Sequence, residues 1–394
     1  MTFRGWLLDL YLNRQEGLTL WFIGEDDRRV CFRQTFPVTF YAVGQKEQLR
    51  AFWKYVSGKP GVLSLSRKQK QDVFAADPVD VMQIDMDSPA SQVSLFHDIE
   101  ANFPDLTYYD ADISIGTRYM ARHGIFPLAL CELEADENQV IQSIRALNTR
   151  WDLMPNLPPL RIFELQPDCD PTRAMPGSLL MRTDRFARSL PLDPAGDYLR
   201  QINEALASYD PDIFVTDWGD IWLIPFLDAQ SEEKGIPLQL NRDTARPVRW
   251  QKETSYFSYG HIIYRPEEAH LFGRCHVDRK SSMMWSDYSL AGTLEMARIT
   301  TLSIEKAARV SPGQGISAMQ VITALEKDVL VPYQKRRGSI QKRHATDPVR
   351  PRRDGLPAQS GAAHGRGTGG LRLDVPGGNH QRQHFARSPP AEPA

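Results

Sequence analysis

The segment 210–227, DPDIFVTDWGDIWLIPFL, holds the residues that come closest to a catalytic pattern. Its apolar run IFV predicts a buried strand, and a Gly-Asp turn then introduces Asp220 at the start of a helical segment. A carboxylate in such a position can hold a metal ion. One turn further on, where a second acid could complete the site, the sequence has Trp222, Leu223 and Ile224. The segment is therefore either a working motif or its remnant, and a helix N-cap is the alternative role of Asp220.

The elements that would position Asp220 lie in a region where strands and helices alternate. LRIFELQ, DIFVTD and FGRCHVD read as strands, with GSLLMRTD as the hairpin partner of the first. DYLRQINEALASY reads as an amphipathic helix, and residues 289–310 and 314–327 also read as helices. This mixture predicts an α/β layer fold.

The first part of the chain has a different pattern. Residues 4–42 alternate in strand fashion between polar turns, which predicts an antiparallel meander or a small barrel. Helices are expected near 46–57 and 89–103. The Pro-rich stretch MPNLPPL then marks a boundary near 152–160.

Length, charge and cysteine content limit the function classes. The 394 residues can form about two or three domains. A net charge of -2 predicts no polyanion partner from the overall balance, although a local basic groove remains possible. The four cysteines form no CxxC pair, which argues against a zinc site or disulfide framework. No signal peptide or apolar stretch of spanning length is present, so we expect a cytoplasmic protein without a membrane partner.

Several blocks, taken in their order and spacing, resemble family B DNA polymerases, in particular a divergent prokaryotic branch with a degenerate proofreading site. They are GWLLDLYLNRQEGLTLWFIG, YYDADISIGTRYMARHGI, DPDIFVTDWGD, YGHIIYRP, LFGRCHVD and ARVSPGQGISAMQ. The resemblance implies an α/β (α+β) fold class, with a β-rich N-terminal domain at 1–155 and an RNase H-like exonuclease-type domain at 156–335. The second domain would be a mixed sheet with flanking helices. A nucleoid-associated location in a prokaryotic cytoplasm is also implied.

The resemblance also implies which acids a 3′–5′ exonuclease site would need. Four carboxylates would surround two metal ions that polarise the phosphate and generate hydroxide. The first family motif, Asp-x-Glu, is matched by Glu164 and Gln166, and the second keeps Asp220 but has Leu223 at its metal-binding Asp. The third, Tyr-x-x-x-Asp, has no counterpart, and Asp278 falls where the family often has an Asp that is not a ligand. We therefore expect no catalytic residue and no metal, with Glu164, Asp220 and Asp278 as remnants.

Candidates for nucleic-acid contact come from the same resemblance. In such polymerases the region matching TRYMARHG borders the template strand, which implies a phosphate contact from Arg118 and base stacking by Tyr119. Arg265, Arg274 and Arg279 are further candidates. An ordinary exposed helix start, without a DNA contact, is the alternative for Arg118 and Tyr119, and the same kind of ordinary role is the alternative for the other arginines.

The amino-acid composition changes at residues 336–394. They are rich in Arg, Pro, Gly and His and lack apolar periodicity, which predicts a disordered basic tail. A second interpretation is an out-of-frame reading. If the codons of residues 361–381 are read one base downstream, the free wobble bases allow DFVSMYP, the palm motif whose Asp binds catalytic magnesium in the resembling polymerases. We therefore hypothesise a frameshift near Arg336–Ile340 that ends the chain before the palm.

Three functions remain open from the sequence. The first is the N-terminal and exonuclease-like portion of a DNA-directed DNA polymerase, which binds template or primer DNA and is catalytically silent by itself. Mg²⁺ would then be a cofactor of the intact polymerase and not of this chain. The second is a metal-dependent 3′–5′ exonuclease that uses Glu164, Asp220 and Asp278 as atypical ligands. The third is a DNA-binding module that partners a separately encoded polymerase subunit.

Overall fold

The computed structural model describes residues 1–13, 17–258 and 261–333, with the backbone alone described at 255–258 and 261–265. The predicted tail at 336–394 and the hypothetical frameshift lie outside the described residues.

Two sheets and three helices occupy the first 146 residues of the chain. In chain order the elements are β1 (Thr2–Leu12), β2 (Leu18–Gly24), β3 (Arg29–Gln34), β4 (Val38–Val43), α1 (Lys46–Val56), β5 (Val62–Asp72), β6 (Val79–Met86), α2 (Pro89–Asn102), β7 (Thr107–Tyr109), α3 (Ile115–His123), β8 (Leu130–Ala135) and β9 (Ile141–Ala146). The predicted helices near 46–57 and 89–103 are thus confirmed as α1 and α2. Helix α3 ends at Gly124, whose left-handed φ of 63° favours a residue without a side chain.

The first N-terminal sheet has the strand order β3-β2-β1-β8-β9, and its paired strands are antiparallel. A bridge between Arg33 and Val140 joins the two edge strands, so the sheet curls back on itself. The alternation at residues 4–42 predicted an antiparallel meander or a small barrel, and β1, β2 and β3 form such a meander, although β4 pairs in a different sheet.

The remaining elements are β10 (Ile162–Pro167), β11 (Ser178–Arg182), β12 (Ala187–Pro191), α4 (Asp197–Tyr209), β13 (Ile213–Thr216), a π-helical turn (Gly219–Leu223), α5 (Ile224–Lys234), β14 (Arg249–Gln251), β15 (Thr254–Ser258), β16 (His261–Arg265), β17 (Glu268–His270), β18 (Cys275–Asp278), α6 (Trp285–Thr300), α7 (Ile304–Arg309), α8 (Pro312–Glu326) and β19 (Val329–Leu330). The central sheet has the order β12-β11-β10-β13-β18. Strands β14 and β17 form one ribbon and β15 and β16 another, while β19 joins the second N-terminal sheet in the order β19-β5-β6-β4-β7. The mixed α/β class is confirmed.

Strand β13 lies at the middle of the apolar core and runs parallel to both of its neighbours, β10 and β18. Since side chains alternate between the faces of a strand, Ile213 and Val215 enter one core cluster and Phe214 enters another. The first cluster packs the sheet against α6 and α7, and the second packs it against α4 and α5. Because both faces of β13 are covered, its side chains are apolar at successive positions, which explains the continuous apolar run IFV.

The helix predicted at 289–310 is two helices. Thr301 adopts a left-handed φ of 60° and ends α6, and the Ser303 hydroxyl accepts a hydrogen bond from the Lys306 amide at the start of α7. Consecutive threonines at 300 and 301 have branched side chains that disfavour helix continuation. The break turns α7 so that Arg309 faces the central sheet.

The first N-terminal sheet and the central sheet share an apolar cluster. Leu8, Ile23 and Leu128 from the first part pack in the same cluster as Ile213 and Val215. Polar contacts add to it, and buried Arg29 pairs with buried Asp212 at 2.6 Å. The division at 155/156 stays a prediction. Among the described residues, no helix combines the length and apolar character that crossing a bilayer requires.

Candidate functional site

Three parallel strands end at one edge of the central sheet and bring polar side chains together there. Glu164 of β10 is in register with Val215 of β13, and Thr216 of β13 is in register with Asp278 of β18. The carboxyl ends of these strands therefore meet, which is where parallel sheets place ligands. Asp217 follows β13 directly at the same edge. Glu164 and Asp278, two of the three acids expected as remnants, lie on these strands, and we call this place the carboxyl edge.

The guanidinium of Arg279 lies at the centre of the carboxyl edge. Its Nη2 is 2.8 Å from Glu164 Oε2, and its Nη1 lies 3.1 Å from Gln166 Oε1 and 3.3 Å from Asp217 Oδ1. Arg182 is a weaker neighbour, with its Nη1 4.0 Å from Glu164 Oε2. One internal cation therefore connects two carboxylates and one amide oxygen, each from the end of β10 or β13.

The carboxylate of Asp278 is used by the turn that follows β18. Its Oδ2 accepts hydrogen bonds from the Asp220 amide at 3.2 Å and from the Ser281 hydroxyl at 2.8 Å. Its Oδ1 accepts one from the Lys280 amide at 3.1 Å. The side chain is buried, so Asp278 fixes the backbone around Arg279.

Asp220 is buried in an ion pair with Arg309 on α7. Its Oδ1 accepts from Arg309 Nη2 at 2.9 Å and from the Ala269 amide at 2.9 Å, and its Oδ2 accepts from Arg309 Nε at 3.1 Å. Burial alone would raise the pKa of Asp220, but the charges of Arg309 and His276 outweigh it and lower that pKa. The alternative role as a helix N-cap is wrong, because Trp218 occupies that position and the Asp220 carboxylate turns inward.

The arrangement does not fit two divalent cations. Gln166 is neutral, and Leu223 is fully buried in the core that packs β10 and β13 against α4 and α5. The three predicted remnants also have different partners: Arg279 for Glu164, Arg309 for Asp220 and the turn amides for Asp278. Over the described ranges, no group of three or more His, Cys, Asp or Glu side chains could hold a metal ion.

The structure gives the predicted DNA-contact residues near 118 an internal role. Arg118 Nη1 donates to the Thr39 carbonyl at 2.6 Å and its Nε to the Ile113 carbonyl at 3.2 Å. Tyr119 is fully buried, and its hydroxyl donates to the Gln34 side chain. Base stacking by Tyr119 would require its ring to leave the core. Helix α3 is instead held to the N-terminal sheets by the internal contacts of Arg118 and Tyr119.

The three other arginine candidates differ from one another. Arg274 is buried, with its Nη2 3.2 Å from Asp210 Oδ1 and its Nη1 donating to the Leu240 carbonyl at 3.3 Å. Burial, together with the charge of Arg242, lowers the pKa of Arg274 to about 10. The backbone of Arg265 belongs to β16, but its side chain lies outside the described residues. Arg279 alone of the described candidates reaches the carboxyl edge.

A cavity of about 570 Å³ was not predicted from the sequence. It lies between β1, the start of α3, the β14–β17 ribbon and the start of α7. Asp9 and His270 line it, and His270 Nδ1 is 2.8 Å from Glu305 Oε2. Burial and repulsion from Glu305 raise the pKa of Asp9 to about 7. The sequence signal was available, because Asp9 interrupts the apolar run GWLLDLYL at a β-bulge.

Comparison with known proteins gives a match at the level of structure. No family model matches the sequence, and no curated protein matches it. The solved family B DNA polymerase from the hyperthermophilic archaeon Pyrobaculum calidifontis has a similar fold, with a TM-score of 0.63 and 17% sequence identity. The similarity covers 85% of this chain and 52% of the polymerase chain, so this chain spans about half the length of that structure. The predicted resemblance to family B DNA polymerases is thus confirmed for the fold.

Proposed function

We propose that this chain is the N-terminal and exonuclease-like portion of a family B DNA-directed DNA polymerase, and that by itself it binds DNA without extending or degrading it. The observation that carries the proposal is the similarity over 85% of the chain to a solved family B polymerase. Template or primer DNA is the proposed partner. Magnesium would act in the polymerising domains, which we place in the half of the polymerase that the similarity does not cover.

Loss of exonuclease activity is supported by two motif positions without an acid and by one internal cation. Gln166 and Leu223 replace acids of the resembling motifs, and Arg279 supplies a positive charge between Glu164 and Asp217. Hydrolysis of a phosphodiester by this class of site needs metal-bound hydroxide and metal-stabilised leaving oxygen. A guanidinium only donates hydrogen bonds, so it cannot coordinate and ionise a water molecule to supply the hydroxide.

DNA binding is tested by gel shift of the purified chain with single-stranded and primed DNA over a salt series. We expect the logarithm of the association constant to fall linearly with the logarithm of salt concentration, with a slope of about -0.7 to -0.9 per phosphate contacted. Absence of salt-dependent binding would contradict the proposal.

Nuclease activity is tested with end-labelled single-stranded DNA and Mn²⁺. We expect no shortening of the labelled strand. Glu164→Gln is the informative control, since this side chain is partly exposed, whereas Asp220→Ala would also break the buried pair with Arg309. Metal-dependent shortening that Glu164→Gln abolishes would establish the exonuclease alternative.

A further inference from the structure

We propose that Arg279 is a built-in counter-cation that closes the carboxyl edge to divalent metal ions. Two negative charges, from Glu164 and Asp217, and one amide oxygen, from Gln166, converge on its guanidinium at 2.8 to 3.3 Å. This inference goes beyond the proposed function, because it concerns ion binding and holds whether or not the chain binds DNA.

The chemistry of the three partners is that of a cation site. Carboxylate and amide oxygens are the donors that Mg²⁺, Mn²⁺ and Ca²⁺ prefer. The Glu164 and Asp217 side chains are 27% and 18% exposed, so water screens their mutual repulsion incompletely. The Arg279 guanidinium offsets this repulsion with a fork of N–H donors that contacts all three groups at once.

The fold holds Arg279 in this position. Its amide donates to the Thr216 carbonyl at 2.8 Å, which continues the β13–β18 pairing for one residue beyond β18. The hydrogen bonds to Asp278 described above fix the turn that follows. The guanidinium carbon also lies 5.7 Å from the Trp285 ring centroid, within the range of a cation–π contact.

Two consequences separate this arrangement from a metal site. The guanidinium is covalently part of the chain and is not removed by a chelator, so the charge balance of the carboxyl edge is independent of metal supply. A divalent ion that approached would face a fixed positive charge within a few ångströms. The wild-type chain should therefore bind Mn²⁺ poorly at this edge, and removal of the guanidinium should create a site.

The test measures Mn²⁺ binding to four proteins: wild type, Arg279→Ala, Arg279→Ala/Glu164→Gln and Arg182→Ala. Binding is monitored by electron paramagnetic resonance and by thermal unfolding in the presence of Mn²⁺ or of a chelator. Arg182→Ala is the matched control, because it removes a nearby exposed arginine that does not occupy the centre. We expect no wild-type binding below about 1 mM Mn²⁺ and binding by Arg279→Ala that is about tenfold tighter or more. The double variant should lose this gain, and Arg182→Ala should behave as wild type.

The thermal data give an independent readout. Mn²⁺ should raise the melting temperature of Arg279→Ala and leave that of the wild type unchanged. If Arg279→Ala does not fold, Arg279→Gln serves as the neutral variant of similar size, and folding of either variant on addition of Mn²⁺ supports the proposal. The proposal is overturned if the wild type binds Mn²⁺ through Glu164, or if both neutral variants gain no Mn²⁺ binding and no folding with Mn²⁺.

Discussion

Arg309 and Asp220 form a buried, two-pronged ion pair that ties helix α7 to the turn after β13. Arg309 Nε and Nη2 lie 3.1 and 2.9 Å from the two carboxylate oxygens, and Arg309 Nη1 also donates to the His276 carbonyl at 3.2 Å. Both side chains are almost fully buried. The acid that best resembled a metal ligand in the sequence is therefore a structural connection between two elements.

Substitution of Asp220 is expected to damage the fold. Asp220→Ala leaves the Arg309 guanidinium buried without its counter-charge, which should lower the free energy of unfolding by about 3 to 5 kcal/mol. Urea unfolding measures the change. Asp197→Ala, which removes an exposed partner of Arg200 on α4, is the matched control and should cost about 0 to 1 kcal/mol. Equal costs for the two variants would contradict a structural role for the buried pair.

Placing an acid at Leu223, the position to which the resemblance assigns the metal-binding Asp of the second motif, should fail for a physical reason. Leu223 is fully buried in an apolar cluster, so Leu223→Asp places a carboxylate there without a partner. We expect a loss of several kcal/mol and, in circular dichroism, a protein that is largely unfolded. Leu223→Met keeps the volume and apolar character and should cost less than about 1.5 kcal/mol. A folded Leu223→Asp variant would show that the turn can rearrange to expose this position.

Asp9 should make stability depend on pH near neutrality. The pKa of Asp9 is about 7 in the folded chain, whereas an ordinary Asp, as in the unfolded chain, has a pKa of 3.8. Between pH 3.8 and pH 7 the folded chain therefore keeps a proton that the unfolded chain has released. The free energy of unfolding therefore falls as pH rises through this window and levels off above it. Besides Glu305, which faces Asp9 from α7, the Arg249 charge and the amides of Leu10 and Gly273 act on the carboxylate in the opposite sense.

Asp9→Asn tests this dependence because the amide oxygen can still accept the Gly273 N–H. Its stability relative to wild type should increase from about pH 5 to about pH 8 in urea titrations. Asp77→Asn, at an exposed position, should keep the wild-type slope. Parallel curves for Asp9→Asn and wild type would rule out an Asp9 that stays protonated in the fold.

Gly219 should tolerate no side chain. A Cβ at this position would lie 1.9 Å from Thr216 Oγ1 and 2.6 Å from His276 Nε2, two atoms that are themselves 2.8 Å apart in a buried hydrogen bond. Gly219→Ala should therefore cost about 1 to 3 kcal/mol or more in urea unfolding. Gly313→Ala in the first turn of α8 meets nothing closer than 3.9 Å and should be neutral or stabilising by up to about 1 kcal/mol. A neutral Gly219→Ala would show that the turn is more adaptable than its packing indicates.

Strands β10, β11, β13 and β18 of the central sheet could be predicted from the sequence because their apolar residues report burial directly, whereas the mostly exposed β12 was not predicted. Strand β5, VLSLSRKQKQD, could not, because it has few apolar residues and exists through its antiparallel pairing with β6. The break between α6 and α7 was likewise missed, since it depends on the backbone of one residue, Thr301.

Glu164, Asp278 and Arg279 were singled out from the sequence, but Asp217 and the ion pairs of Arg279 were not. The family resemblance singled out Glu164 and Asp278, and the strand-like runs IF and CHV placed them in strands β10 and β18. The partners of the acids are set by tertiary structure: Arg279 is 115 positions from Glu164 along the chain, and Arg309 is 89 from Asp220. Arg118 and Tyr119 also depend on tertiary structure. The sequence predicted the helix that contains them but did not show that both side chains lie on its buried face.

The apolar cluster that joins Leu8, Ile23 and Leu128 to Ile213 and Val215 has a practical consequence. A protease that cuts the Pro-rich connection at 152–160 would sever the peptide chain but leave this shared interior intact, so the two fragments should co-elute in gel filtration. Residues 156–333 expressed separately would instead expose the apolar side chains of this cluster to water. This fragment should precipitate on its own, and it should bind residues 1–155 when they are added as a separate chain.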